Sequence, residues 1–238
     1  MDQPNNADPL NILRAIARIT EIPSFEVADV DAVWLALESG ATVNDDLFIQ
    51  ACELGHTGVV RLFLDRGVNP DDNVLCDACI RGHTGVVHLL LDLPPERGVN
   101  PAAYVNFTLR CACANGHTEI VRLLLDLPLE RGVDPAANGN DALDIACEYG
   151  HTKIVRLLLD LPLERGVNPA INDNYELRHA CTNGHMEIVR MLLALPPQRG
   201  VDPTVFGNDA LSRAIQGGHA EIVRLLKAKI PWYRRLLQ

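Results

Sequence analysis

No uninterrupted apolar run in this 238-residue chain approaches the roughly 18 residues that would cross a bilayer as a helix, so no membrane insertion is expected. The first twenty residues carry Asp2 and Asp8 and lack a basic start, an apolar stretch and a cleavage site, so no secretory leader is expected either. The seven cysteines are an odd number with no framework spacing, which predicts free thiols and an intracellular, cytoplasmic setting. The chain lacks a glycine-rich phosphate loop, a His-Glu-x-x-His and a Gly-x-Ser-x-Gly, and the expectation is no catalysis and no cofactor. Basic residues are the minority, 21 against 31 acidic ones. The net charge of −10 argues against specific nucleic-acid binding. Apolar residues are plentiful at 47%, with 22% charged, so the chain can bury a core and is not disordered.

The apolar residues are periodic. A Gly-His pair recurs at Gly55-His56, Gly82-His83, Gly116-His117, Gly150-His151, Gly184-His185 and Gly218-His219, first after 27 residues and then four times after 34. A fixed period in this range marks a solenoid of stacked units. A short helix with a small inward set, such as Leu143, Ala146 and Cys147, precedes each pair. A second helix follows, and Ile154, Val155, Leu158 and Leu159 form its apolar stripe at i, i+1, i+4 and i+5. Beyond it runs Leu-Pro-x-Glu/Gln-Arg-Gly-Val-Asn/Asp-Pro. There Gly132 or Gly166 can end the helical segment in a left-handed conformation, and Pro135 or Pro169 prevents its continuation.

The first helices should start at Asn106, Asn140, Asn174 and Asn208, or one residue later, with a short polar side chain accepting first-turn N–H groups. Asp141 and Asp209 would serve as caps equally well. Phe107 and Tyr175 would not, so Asn106 and Asn174 are the expected caps in those two units. The ends are imperfect copies. Helices are expected over Pro9–Ile19 and Asp29–Glu38, separated by a longer stretch over Thr20–Phe25. Residues 1–44 read as an atypical N-terminal capping repeat, 45–228 as six repeat units, and 229–238 as a C-terminal cap or truncated tail containing Trp232. The whole is expected to be one all-α solenoid of about seven antiparallel helix pairs with short connecting loops.

These units resemble ankyrin repeats. The strongest likeness is Asn115-Gly116-His117-Thr118-Glu119-Ile120-Val121-Arg122-Leu123-Leu124-Leu125, which is similar to the family's Gly-His-x-Glu-Ile-Val-x-Leu-Leu-Leu segment. The family's Thr-Pro-Leu-His opening is degraded here to Asp141-Ala142-Leu143-Asp144 and Asp209-Ala210-Leu211-Ser212. The resemblance implies a noncatalytic binding scaffold without naming a partner. It further implies that each repeated His follows a left-handed glycine and bonds the backbone of a neighbouring repeat, so no metal site is expected from the histidines. Relative to the family unit, about four residues are added after the second helix, for example Leu127-Pro128-Leu129-Glu130, and about three are missing from the projecting loop. The insertion is expected to form a helical turn or a tight bulge.

Cys52, Cys79, Cys113, Cys147 and Cys181 share one register and should lie about 10 Å apart in the stack, too far for a disulfide or shared ligation. They read as small buried thiols. Cys76 and Cys79 could form half a zinc site, but no second half is evident. Arg61, Arg122, Arg156, Arg190 and Arg224 form a row on the second helices and read as surface residues diluted by nearby acids.

Recognition should reside where the copies differ. Read in the family's register, the concave face carries Tyr104, Phe107 and Arg110, then Asn138, Asp144 and Tyr149, then Asn172, Tyr175 and Arg178, then Phe206 and Arg213. Five of the chain's eleven aromatic residues fall in this set, and Tyr and Arg are favoured interface anchors. The candidate partner-binding residues are therefore Tyr104, Phe107, Arg110, Tyr149, Tyr175, Arg178, Phe206 and Arg213. The alternative is that Phe107 and Tyr175 merely pack at helix starts. The partner is expected to be a protein or peptide, and the chain a monomer unless its tail mediates assembly. A different reading is a structural spacer or assembly module of a larger protein. If the face is for recognition, Arg110→Ala and Arg178→Ala should leave the melting temperature nearly unchanged in thermal unfolding.

Overall fold

A computed structural model describes residues 27–38, 40, 43, 45–170, 173–196 and 199–230. The expected helix at Pro9–Ile19, the stretch at Thr20–Phe25 and the tail with Trp232 lie outside the described residues. The chain divides into two compact units, Met1–Asn100 and Pro101–Gln238. The first holds α1 (Val27–Glu38), α2 (Asp45–Glu53), α3 (Thr57–Asp65), α4 (Asp72–Arg81) and α5 (Thr84–Leu91). The second holds α6 (Ala103–Ala114), α7 (Thr118–Leu125), α8 (Ala137–Glu148), α9 (Thr152–Leu159), α10 (Tyr175–Thr182), α11 (Met186–Leu193), α12 (Val205–Gln216) and α13 (Ala220–Lys229). The described residues contain no strand, and no described helix is long and apolar enough to cross a membrane. Within the second unit the first helices α6, α8, α10 and α12 pack in sequence, and the second helices α7, α9, α11 and α13 pack beside them.

The Gly-His pair turns each first helix into its second. In α6 the N–H of Gly116 bonds the carbonyl of Cys113, and the N–H of His117 bonds that of Ala112, the paired pattern that closes a helix on a left-handed residue. Six glycines in this register have φ between 73° and 81°. A side chain there would also collide with the next unit: a Cβ on Gly150 would lie 2.5 Å from the His185 ring. That ring donates from Nε2 to the Glu148 carbonyl at 2.9 Å. His83 does the same to Glu53, His151 to Ala114 and His219 to Thr182. The expected stripe of Ile154, Val155, Leu158 and Leu159 is buried, as are its copies Ile120, Val121, Leu124 and Leu125 in α7.

The insertion forms a short 3-10 turn, Leu129–Arg131 in one unit and Leu163–Arg165 in the next, each ended by a left-handed glycine. Its arginine reaches back to open carbonyls at the end of an earlier second helix and in the loop beyond it. Arg165 donates to Leu125, Arg199 to Leu159 and Val167, and in the first unit Arg97 donates to Leu64 and Val68. Arg66, which follows the short unit without the insertion, instead pairs with the Glu38 carboxylate at the surface.

The first helices start where the asparagines predict, but those residues do not cap them. Asn106, Asn140 and Asn208 close three-residue left-handed stretches, Tyr104–Asn106, Asn138–Asn140 and Phe206–Asn208, and Asn174 is left-handed as well. The side chains of three of them bond the backbone 28 residues ahead. Asn106 accepts from the N–H of Asp134, Asn140 donates to and accepts from the backbone of Asn168, and Asn174 donates to the Asp202 carbonyl. A residue with positive φ already points its side chain away from its own first turn, so stacking takes the group that capping would have used.

The middle position of the left-handed stretch is Gly139 and Gly207 in two units but Val105 in a third, with φ 57° and 55% exposure. A β-branched residue there is strained by about 1–2 kcal/mol, partly offset by the greater chain entropy of glycine when unfolded. Val105→Gly should raise stability by about 1 kcal/mol in denaturant unfolding, and Gly139→Val should lower it. A neutral or destabilising Val105→Gly would remove the strain argument.

Candidate functional site

The left-handed stretches and the first helices of the second unit share one face. Tyr104 (62% exposed) and Phe206 (64%) sit on the stretches, and Tyr149 (59%) stands at the end of α8. The candidate residues form two clusters and two outliers. In the first cluster Arg110 lies over the Phe107 ring at 5.9 Å and pairs with Asp141 of the next helix at 3.3 Å. In the second, the Arg178 guanidinium lies 4.3 Å from the Tyr175 ring centroid and 5.5 Å from that of Phe206. Arg178 also meets Asp209 at 3.4 Å, and Asp209 binds Arg213 at 2.7 Å. Hydrogen bonding from Arg213 leads in holding the Asp209 carboxyl below its ordinary range, with Arg178 adding to it and partial burial opposing it.

Among the described residues, no hydrogen bond, ion pair or ring contact joins Tyr104 or Tyr149 to either cluster. Tyr149 instead stacks on His151, with centroids 6.3 Å apart. Asn138 donates to Asp141, and Asn172 lies outside the described residues.

Sequence reasoning missed the interior of the second cluster. Glu176 is fully buried, and its Oε1 accepts from Asn140 at 3.3 Å. Its copies in the other units are Leu47, Val74, Thr108, Ala142 and Ala210, so a single acid in a register of small or apolar residues was the available signal. Removal from water pushes its carboxyl up to about 8, with the Asp144 charge adding to this. Hydrogen bonds from its own backbone and from Asn140, and the Arg178 charge, oppose the shift without cancelling it. Beside it His179 meets Asp144 at 2.8 Å and packs edge-on against Tyr175 at 4.7 Å.

Six of the seven cysteines sit in the core, and Cys111 is half-buried. Burial pushes the Cys52 and Cys181 thiols up to about 12 and those of Cys113 and Cys147 upward as well, so they are poor nucleophiles at neutral pH. Among the described residues no group of three or more His, Cys, Asp or Glu is placed to hold a metal ion. The second-helix row is exposed and weakly paired, Arg122 with Glu119 and Arg156 with Glu187, each at 3.7 Å.

Residues 98–173 and 163–231 match the family model for ankyrin repeats in three copies, together more than half of the chain. Among solved structures the ankyrin repeat domain of Bcl-3, described as a unique member of the IkappaB protein family, is 22% identical with a TM-score of 0.57. The match covers 94% of this chain and 100% of that one. An ankyrin repeat family protein from Legionella pneumophila is 18% identical with a TM-score of 0.40, over 95% of this chain and 87% of that one. No curated protein matches. At these identities the structural likeness concerns the fold alone.

Two outcomes follow from the second cluster. Arg178 is only 15% exposed and holds two rings and a carboxylate, which revises the expectation that its loss is harmless. Arg178→Ala should cost about 1–2 kcal/mol more in chemical unfolding than Arg110→Ala. Glu176 is raised in the folded state, so its contribution is complete below the ordinary carboxyl range and is lost as pH rises through about 8. Glu176→Gln should therefore match the parent below the ordinary carboxyl range and melt several degrees higher above the folded-state value. Equal melting at alkaline pH would show that the carboxyl is not perturbed.

Proposed function

We propose that this chain, which belongs to the ankyrin-repeat family, is a noncatalytic recognition module that binds a protein partner on the face built by its first helices and left-handed stretches. Ankyrin repeats are in general protein–protein interaction modules. The observation that carries the reading is the exposure of Tyr104, Tyr149 and Phe206 on elements fixed by hydrogen bonds to their neighbours. Large amphipathic side chains on a rigid frame lose little entropy when a partner covers them. Arg110 adds a half-exposed cation beside Phe107, and Arg213 lies beside Asp209 at the other end of the face. Tyr175 and Arg178 support Phe206 from below in this reading and contact the partner only along their exposed edges.

Recognition of this kind is rigid and involves no chemical step. The test is affinity capture from the protein's own cells, comparing the full chain with a Tyr104→Ser, Tyr149→Ser variant whose melting temperature is unchanged. Partners enriched by the parent should fall roughly tenfold or more with the variant. Equal capture by both would move recognition off this face, and no enrichment by either would favour the spacer reading.

A further inference from the structure

A cavity of about 420 Å³ opens in the second unit between α8, α10 and α12, large enough for a small organic group. Asp141 and Asp144 line it from α8, and Asp173 and Glu176 from the α10 side. Arg178 and the Tyr175 and Phe206 rings complete its wall. Four carboxyl groups thus face one guanidinium, and that guanidinium is already engaged by Asp209 from outside the lining. Asp141 is matched by Arg110 and Asp144 by the His179 imidazole. Asp173 has no ion-pair partner among the described residues. Glu176 is 0% exposed, and its Oε2 has no hydrogen-bond partner among them.

A buried carboxyl oxygen without a partner is costly, and here it belongs to a group that lines an open cavity. For the ionised carboxylate the missing complement is a donor, and the surplus of acid around it asks for a cationic one. We infer that this cavity receives an arginine side chain of the protein partner, with its guanidinium against Glu176 and Asp173 and its plane along the aromatic wall. A guanidinium offers five donors in a plane and can meet two carboxyl groups while lying on a ring, whereas an ammonium presents a compact charge. Arg178 already shows that the Tyr175 and Phe206 rings accept this packing. The chain's net charge of −10 favours approach by a basic segment. The inference rests on the face being a partner-binding surface and adds the chemistry of one anchor.

Occupancy is coupled to a proton. In the free protein Glu176 holds its proton up to about pH 8, and a guanidinium beside it favours the ionised form. The charged and titratable groups around it are Asp141, Asp144 and Cys147 on α8, Asp173, Arg178 and His179 on the α10 side, and Asp209 and Arg213 on α12. Binding of a permanently charged guanidinium should tighten from about pH 6.5 to about pH 8.5 as Glu176 ionises. Glu176→Gln should flatten that trend.

The test is an NMR titration of the full chain with N-acetyl-arginine N-methylamide, alongside its citrulline counterpart, which has the same shape without the charge. The arginine probe should shift the amide signals of Asp144, Asp173 and Glu176. The citrulline probe, and the arginine probe on Glu176→Gln at the higher pH, should each bind roughly tenfold more weakly. Asp173→Asn keeps a residue suited to the left-handed backbone and should weaken the probe without altering the fold. Equal binding of the two probes, or shifts centred elsewhere, would overturn the inference. So would undiminished binding to both variants. A small probe needs no partner, so its failure alongside capture that depends on Tyr104 and Tyr149 removes the pocket and leaves the face. Specific probe binding with capture indifferent to those tyrosines does the reverse.

Discussion

The stack depends on a hydrogen bond between an imidazole and a carbonyl across a position with no side chain. Four of the repeated histidines, His83, His151, His185 and His219, begin second helices and donate to the end of the first helix one repeat earlier. Each reaches that carbonyl because the glycine beneath it has no Cβ to obstruct the ring. The same glycine is left-handed, which brings the two helices of its own unit together. One residue type therefore sets both the fold within a unit and the distance between units, and the apolar stripes are buried only because that distance is short.

Two further devices hold the same interfaces. The inserted turn carries an arginine back to open carbonyls, and Asn106, Asn140 and Asn174, at the ends of left-handed stretches, reach forward to the next loop. The short unit shows the dependence on the insertion. Without the added residues Arg66 meets a surface carboxylate, an exposed contact worth less than a bond to a half-buried carbonyl. Stability is thus spread along the stack in repeated polar contacts as well as in apolar burial.

The helix pairs, the left-handed glycines, the histidine bonds and the buried stripes were legible because each is a local pattern repeated at fixed spacing. The role of the asparagines was not, since a capping residue and a left-handed linker residue have the same composition and differ only in φ. Arg178 was read as a recognition residue dispensable for stability because the Tyr175 and Phe206 rings and Asp209 surround it only once α10 and α12 are packed. Glu176 was overlooked although its register was informative. A reading that looks for common residues passes over the one copy that departs from them, and here that copy lies at the centre of the candidate site.

The clamps along most of the stack end on main-chain atoms: histidine and arginine on carbonyls, asparagine on carbonyls and N–H groups. Every amino acid supplies those atoms, so a unit bound in this way places little demand on the identity of its neighbour. Such units are interchangeable, and a gene encoding them tolerates duplication, loss and reshuffling of whole repeats. The helices α6, α8, α10 and α12 are tied more specifically, because Arg110 with Asp141, Asn140 with Glu176, Asp144 with His179, and Arg178 with Asp209 join side chain to side chain. Those four repeats must be inherited together. A lineage that exchanges repeats freely elsewhere would be expected to keep this set intact and in order.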